Sequence, residues 1–266
     1  MADRRRHNRR RDRGRGRMSG LYRVVAVFLA LAAVAAGCIV FFRVRTIQVE
    51  GAARYTSEEV IAASGLKEGS YLALLDTVTM TRQIRAQLPY VERAGVQRVL
   101  PDRVVITVEE SAVAAAVQSQ GQWWLVNSAG KLLETVDDSG AEGRPKLIGI
   151  ELLSPAPGTT AIVAEEEQNR WNSALELVRA VDARGELSKL GSVDCSTAGS
   201  FTVQYGGRFT LLLPTLVKYQ RVDQEQFEYF FTLLDQSMPQ LEEGGQNLVD
   251  FTLWESTGRI YARYSD

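Results

Sequence analysis

The chain has 266 residues, with 31 Lys and Arg against 32 Asp and Glu and a single histidine, for a formal net charge of −1. That balance hides a split: residues 1–20 carry nine Arg and two Asp, net +7, whereas from Val24 onward 30 acidic residues outnumber 21 basic ones, net −9. An acidic bulk excludes nucleic-acid binding by that part. The one histidine, His7, lies in the basic tail, which excludes a Ser-His-Asp triad, a Cys–His pair or a histidine metal site elsewhere.

Residues 1–23 are too poor in apolar side chains to fold alone and are predicted to be a disordered basic tail. Its arginines suit a topology signal and contact with anionic lipid better than nucleic acid. Val24–Phe42 follows, nineteen residues without a charge, which as a helix would extend ~28 Å, close to the ~30 Å hydrocarbon core of a bilayer. Residues 24–42 are therefore predicted to be a transmembrane helix. Positive charge stays on the cytoplasmic side, so the amino terminus should be inside and the bulk of the chain outside. Two rival readings are a cleaved signal ending near Ala35-Ala36-Gly37 and a lipoprotein signal ending at Cys38. Against both, the apolar run continues through Ile39, Val40, Phe41 and Phe42, and no polar tether follows Cys38. An anchor would leave Cys38 and Cys195 unable to pair, so the outer part would rest on burial without disulfides.

Thr46 to Gly51 alternates as a strand, with Ile47 and Val49 on its inner face. Thr56-Ser57-Glu58-Glu59 opens a helix that stops at Ser64-Gly65. Asp76 caps a second helix that ends at Leu88 before Pro89, with Val78, Thr81 or the Arg82 stem, Ile84 and Leu88 as its predicted inner face. Two strands, Tyr90 to Val99 and Arg103 to Glu109, flank a turn at Leu100-Pro101-Asp102. The order β-α-α-β-β suffices for one small α+β domain.

These residues resemble a POTRA domain placed directly outside a membrane helix. The landmarks are V-E-G at Val49 to Gly51, the S-G-L-x-x-G corner at Ser64 to Gly69, and the run L-P-x-x-x-x-A-x-V-x-R-x-L-P-x-x-V-x-I-x-V-x-E from Leu88 to Glu109. The whole layout resembles the bacterial cell-division family called FtsQ in some lineages and DivIB in others. The resemblance implies an α+β fold: a single transmembrane helix, a small β-α-α-β-β POTRA domain over 43–110, and over 111–266 a mixed β-sheet domain with helices on one side.

The second half is predicted to contain a hairpin, Trp123 to Val126 and Lys131 to Glu134, around the turn Asn127-Ser128-Ala129-Gly130. One of Trp123 and Trp124 would be core and the other could face a partner. An amphipathic helix follows from about Glu165 to Arg184, with Trp171, Ala174, Leu175, Val178 and Val181 inward. Strands are expected at Ser192 to Cys195, Phe201 to Tyr205 and Arg208 to Leu213. A helix from Val222 to Gln236 buries Phe227, Phe230, Phe231 and Leu234. The last two strands, Asn247 to Trp254 and Arg259 to Tyr264, would form a hairpin turning at Ser256-Thr257-Gly258.

Catalytic signals have plain readings. Ser128-Ala129-Gly130-Lys131 matches the S-x-x-K string of penicillin-binding transpeptidases, but in a turn and with no K-T-G partner. Ser237-Met238 resembles a signal-peptidase nucleophile, yet no lysine follows Lys218. Glu165-Glu166-Glu167 complements a helix dipole, and Cys195 reads as a small buried apolar residue. No enzyme activity and no cofactor are expected.

The resemblance implies a non-catalytic scaffold at the division septum that binds small coiled-coil membrane proteins of the FtsB/DivIC and FtsL types and couples them to septal peptidoglycan synthesis. The expected docking surface is the terminal strand pair, through Phe251, Leu253, Trp254, Ile260, Tyr261, Ala262, Arg263 and Tyr264, by addition of a partner strand. Alternation there puts Phe251 and Leu253 on one face and Thr252 and Trp254 on the other, and sets Ile260, Ala262 and Tyr264 opposite Tyr261 and Arg263. Alternatives are a single-POTRA envelope chaperone or export component and, further off, an anchored peptidoglycan enzyme. An outer-membrane barrel would need many more alternating strands of ~9–11 residues.

Overall fold

A computed structural model describes residues 15–218 and 220–264, with side chains from residue 21 onward except those of 35 and 38–40. Helix α1 spans Arg15–Phe41. It starts earlier than expected, so the stretch 15–23, anticipated as disordered tail, forms its first turns, while 1–14 lie outside the described residues. Apolar side chains along α1, among them Val24, Phe28, Leu31 and Val34, are exposed. Among the described residues no helix is long and apolar enough to cross a membrane. The uncharged run read from the sequence includes Ala35 and Cys38 to Val40, whose side chains are not among those described.

The first domain follows without a spacer, and Val44 is already buried. Its strands are β1 (Thr46–Glu50), β2 (Val91–Val99) and β3 (Arg103–Glu110), ordered β1-β3-β2, with β1 parallel and β2 antiparallel to the central β3. Helices α2 (Ser57–Ser64) and α3 (Thr77–Gln87) supply the layer that buries the sheet's apolar face. Thr56 and Glu59 form a reciprocal capping box on α2, and Asp76 caps α3 through the Thr79 amide. Val60, Ile84, Val104 and Ile106 are fully buried. Gly51, the glycine of V-E-G, has φ +84°, and a Cβ there would lie 2.1 Å from the Val108 carbonyl oxygen, so only glycine fits.

Val78 departs from expectation: it is exposed, while Ile84 and Leu88 face the core. The helical period explains this. Leu88 lies four residues from Ile84 and shares its face, but six residues at ~100° each turn Val78 well away from it.

The second domain holds β4 (Ala115–Ser119), β5 (Gln122–Val126), β6 (Leu132–Val136), β7 (Lys146–Ile148), α4 (Gln168–Ala183), β8 (Leu190–Asp194), β9 (Ser200–Tyr205) and β10 (Phe209–Pro214). Then come the two-residue strands β11 (Leu216–Val217) and β12 (Gln220–Arg221), α5 (Gln224–Gly244), β13 (Leu248–Asp250), α6 (Trp254–Thr257) and β14 (Tyr261–Arg263). Nine strands form one sheet in the order β14-β13-β10-β9-β8-β7-β4-β5-β6.

Two of its parallel pairings, β7 with β8 and β10 with β13, are each bridged by a helix, α4 and α5 respectively. Both crossovers step the same way along the sheet between strands of the same direction, so a shared hand puts both helices on one face. That face holds the main core, in which Trp171, Leu177 and Val178 of α4 meet Phe227, Phe231 and Leu234 of α5. The opposite face is covered at the β4-β5-β6 end by Ala141 and by Tyr90 of the first domain. Trp123 and Trp124 are therefore both buried, one in each layer, and neither presents an exposed ring.

Candidate partner-binding edge

β13 is three residues long. It ends because the Asp250 carboxylate accepts hydrogen bonds from the Thr252 amide at 2.9 Å and the Thr252 hydroxyl at 2.6 Å, a side-chain turn that competes with the ladder. Leu253 and Trp254 consequently leave the strand, and α6 replaces the tight hairpin turn expected at Ser256-Thr257-Gly258. Arg259 and Ile260 lead back into β14, which pairs antiparallel with β13 through Leu248–Arg263, Val249–Ala262 and Asp250–Tyr261. The other side of β14 has no strand partner among the described residues, so it is one of the two outer strands of the sheet.

The eight residues singled out from the sequence divide into four groups here. Phe251 is fully buried against Phe230, their ring centroids 5.3 Å apart, and belongs to the core. Ile260 and Ala262 share a face, as the alternation implied, but that face packs partly against the same core. Leu253, Tyr261, Arg263 and Tyr264 are exposed. Phe251 and Leu253 thus do not share a face, and Tyr264 turns outward from the face of Ile260 and Ala262, its hydroxyl donating to the Gly244 carbonyl at 2.8 Å.

Trp254 is half-buried and meets the Tyr229 ring edge-on at 5.8 Å. Tyr229, 49% exposed, was missed in the sequence, although its place between Phe227 and Phe230 turns it off the buried face of α5. Exposed Tyr229, Leu253, Tyr261 and Tyr264 all lie in or beside the terminal elements β14, α5 and α6. The backbone of β14 offers hydrogen bonds, and these rings offer apolar area for an added chain.

The strings weighed for chemistry have structural roles. Asn127 Oδ1 accepts from the amides of Ala129 and Lys131, so Ser128 to Lys131 is a turn, and Lys131 Nζ donates to the Val91 carbonyl at 2.8 Å. The Ser237 hydroxyl donates to the Leu233 carbonyl one turn back in α5. Cys195 is fully buried, and burial, with Asp194 nearby, pushes its thiol up to about 12, far from a reactive thiolate. No cluster of three or more His, Cys, Asp or Glu residues suited to a metal occurs among the described residues.

Residues 42–111 match the family model described as "POTRA domain, FtsQ-type". The chain is similar to proteins named "Cell division protein FtsQ" from several bacteria. It is 30% identical to that of Anaeromyxobacter sp. (strain K) over 153 residues, 56% of this chain and 50% of the relative. With the protein of Syntrophotalea carbinolica it shares 26% identity over 228 residues, 84% of this chain and 74% of the relative. The Caulobacter vibrioides protein is 27% identical over 165 residues, 59% of this chain and 54% of the relative. The chain thus spans between half and three quarters of the length of these relatives.

Proposed function

We propose that this chain, a member of the FtsQ/DivIB family of bacterial cell-division proteins, acts as a non-catalytic scaffold at the division septum. In this reading Val24–Phe42 anchors it in the cytoplasmic membrane with the basic tail inside and the two domains, 43–110 and 111–266, outside. The support is the nineteen-residue uncharged run behind a net +7 tail, together with apolar side chains along α1 that are left exposed. Its partners would be FtsB/DivIC-like and FtsL-like membrane proteins, which it would couple to peptidoglycan synthesis.

The observation that carries the docking proposal is the open side of β14 beside Tyr229, Tyr261 and Tyr264. A partner strand would pair with β14 through backbone groups, and an apolar side chain beside it would rest on one of these exposed rings. Along β14, alternate residues direct their N–H groups toward β13 or away from it. Single proline substitutions at Tyr261, Ala262, Arg263 and Tyr264 therefore sample both registers. The expected result is loss of partner capture from detergent-solubilised membranes at the outward-bonding positions, with circular dichroism unchanged. Trp254→Ala and Tyr261→Ala should weaken capture by roughly ten-fold or more, as anchor residues do. If every well-folded variant still captures the partner, docking is elsewhere.

A further inference from the structure

Among the described residues, the two most exposed large apolar side chains outside α1 are Leu74, at 81%, and Leu100, at 71%. They sit on separate loops of the first domain, one in the turn before α3 and the other in the β2–β3 turn. Both loops are hydrogen-bonded to the segment that leaves α1. The Leu72 amide donates to the Phe42 carbonyl at 2.9 Å, and the Arg45 amide donates to the Asp102 carbonyl at 2.8 Å. Each leucine is thus two residues from the exit segment, at most about 7 Å of chain.

The exit itself has no slack. Val44 exchanges backbone hydrogen bonds with Gly69 and Ser70, and its side chain is in the core. A domain tied down from its second residue cannot drift from wherever α1 ends. The polar groups around this end suit a lipid headgroup layer. Arg43 lies 4.8 Å from the centroid of the Tyr71 ring and donates to its hydroxyl at 2.8 Å, and Arg45 and Arg103 are exposed nearby. An aromatic ring with a phenol, cations able to meet phosphate, and isolated leucines are the chemistry of a membrane–water boundary.

We infer that this end of the first domain rests on the outer leaflet of the bilayer, with Leu74 and Leu100 inserted and Tyr71, Arg43 and Arg45 at the headgroups. This rests on the reading of Val24–Phe42 as a membrane span. The occupant is lipid because the covalent connection, with no spacer, holds this face at the point where the span emerges. Docking fixes the tilt of the first domain and so the direction in which the outer part projects.

The test uses the full chain reconstituted in phosphatidylcholine–phosphatidylglycerol vesicles, with Leu74→Trp, Leu100→Trp and, as an exposed control in the second domain, Ile162→Trp. Carbonate washing comes first: a chain that washes off the vesicles overturns the spanning reading and the docking with it. For a chain that stays, the emission added at positions 74 and 100 should shift to the blue and be lost when brominated lipid replaces ordinary lipid. Emission added at position 162 should be lost to acrylamide in the water instead. Retention of the chain with positions 74 and 100 as open to acrylamide as 162 overturns the docking alone. Shielding from acrylamide without quenching by brominated lipid assigns the face to protein, such as a second copy of the chain, and also overturns it. Both sites are exposed and on different loops, so one poorly folded variant leaves the other readable.

Discussion

The Tyr90 hydroxyl, at the start of β2 in the first domain, donates to the Glu134 carboxylate on β6 of the second. Arg54 closes the arrangement: its guanidinium stacks 3.8 Å from the Tyr90 ring centroid and reaches Glu134 at 3.0 Å. Burial, then the bonded Glu134 carboxylate, raise the phenol's pKa, so it stays a donor beyond the pH at which an ordinary tyrosine ionises. Lys131 to the Val91 carbonyl and Asn127 to Glu92 at 2.6 Å add further ties across the same boundary.

Tyr90→Phe keeps the packing and removes the donor, so it should cost the outer fragment about 1–2 kcal/mol in denaturant unfolding. Glu134→Ala should cost a similar amount. Because both act on one bond, the double variant should lose less than the two single losses together. Additive losses would show that the hydroxyl–carboxylate bond does not couple the domains.

Ile106 is fully buried at the centre of β3, opposite Val49 of β1 and Val96 of β2. Ile106→Asp would place a carboxylate where no partner exists, and a loss of several kcal/mol follows. The thermal transition of the first domain should fall sharply or vanish, followed in a fragment beginning at Arg43. An unchanged melting temperature would mean that strand facing in this domain is misassigned.

Glu186, just after α4, accepts from Lys189, from the Tyr205 phenol at 2.8 Å and from Arg184, which also reaches Asp235 of α5. Burial alone would raise its carboxyl, but these donors outweigh it and hold the group down at about 2, against an ordinary 4.5. A carboxylate lowered on folding stabilises fully above its unfolded value and loses that contribution as pH falls from about 4.5 toward 2. Glu186→Gln should therefore melt lower than the parent at pH 7, with the gap closing between pH 5 and 2. A gap that stays constant across that range would exclude the ionised group as its source.

Much of this architecture was legible in the chain, and the failures have physical causes. Apart from Val78, the first domain read cleanly because Val104, Ile106 and Val108 alternate and because Thr56, Gly65 and Asp76 mark helix ends by local chemistry. The burial of both Trp123 and Trp124 was not readable, since the second cover on their sheet comes partly from Tyr90, distant in sequence. At the candidate edge, the shared face of Ile260 and Ala262 followed from period two, but that it turns to the core did not. Phe251 and Leu253 were wrongly put on one face because the Asp250–Thr252 turn cuts the strand between them. Pro239, a familiar helix stop, lies inside α5, and that helix runs on to Gly244, past the expected end at Gln236.

The order of strands at this end of the sheet sets when the edge can exist. Among the described residues β14 pairs with β13 alone, and β13 reaches β10 only by way of the α5 crossover. Until α5 has settled on the sheet, no part of the chain presents that row of backbone groups in a fixed line. A partner that pairs with β14, as proposed, would therefore engage only finished molecules, and incompletely folded chains would be turned away by geometry, without a separate inspection step.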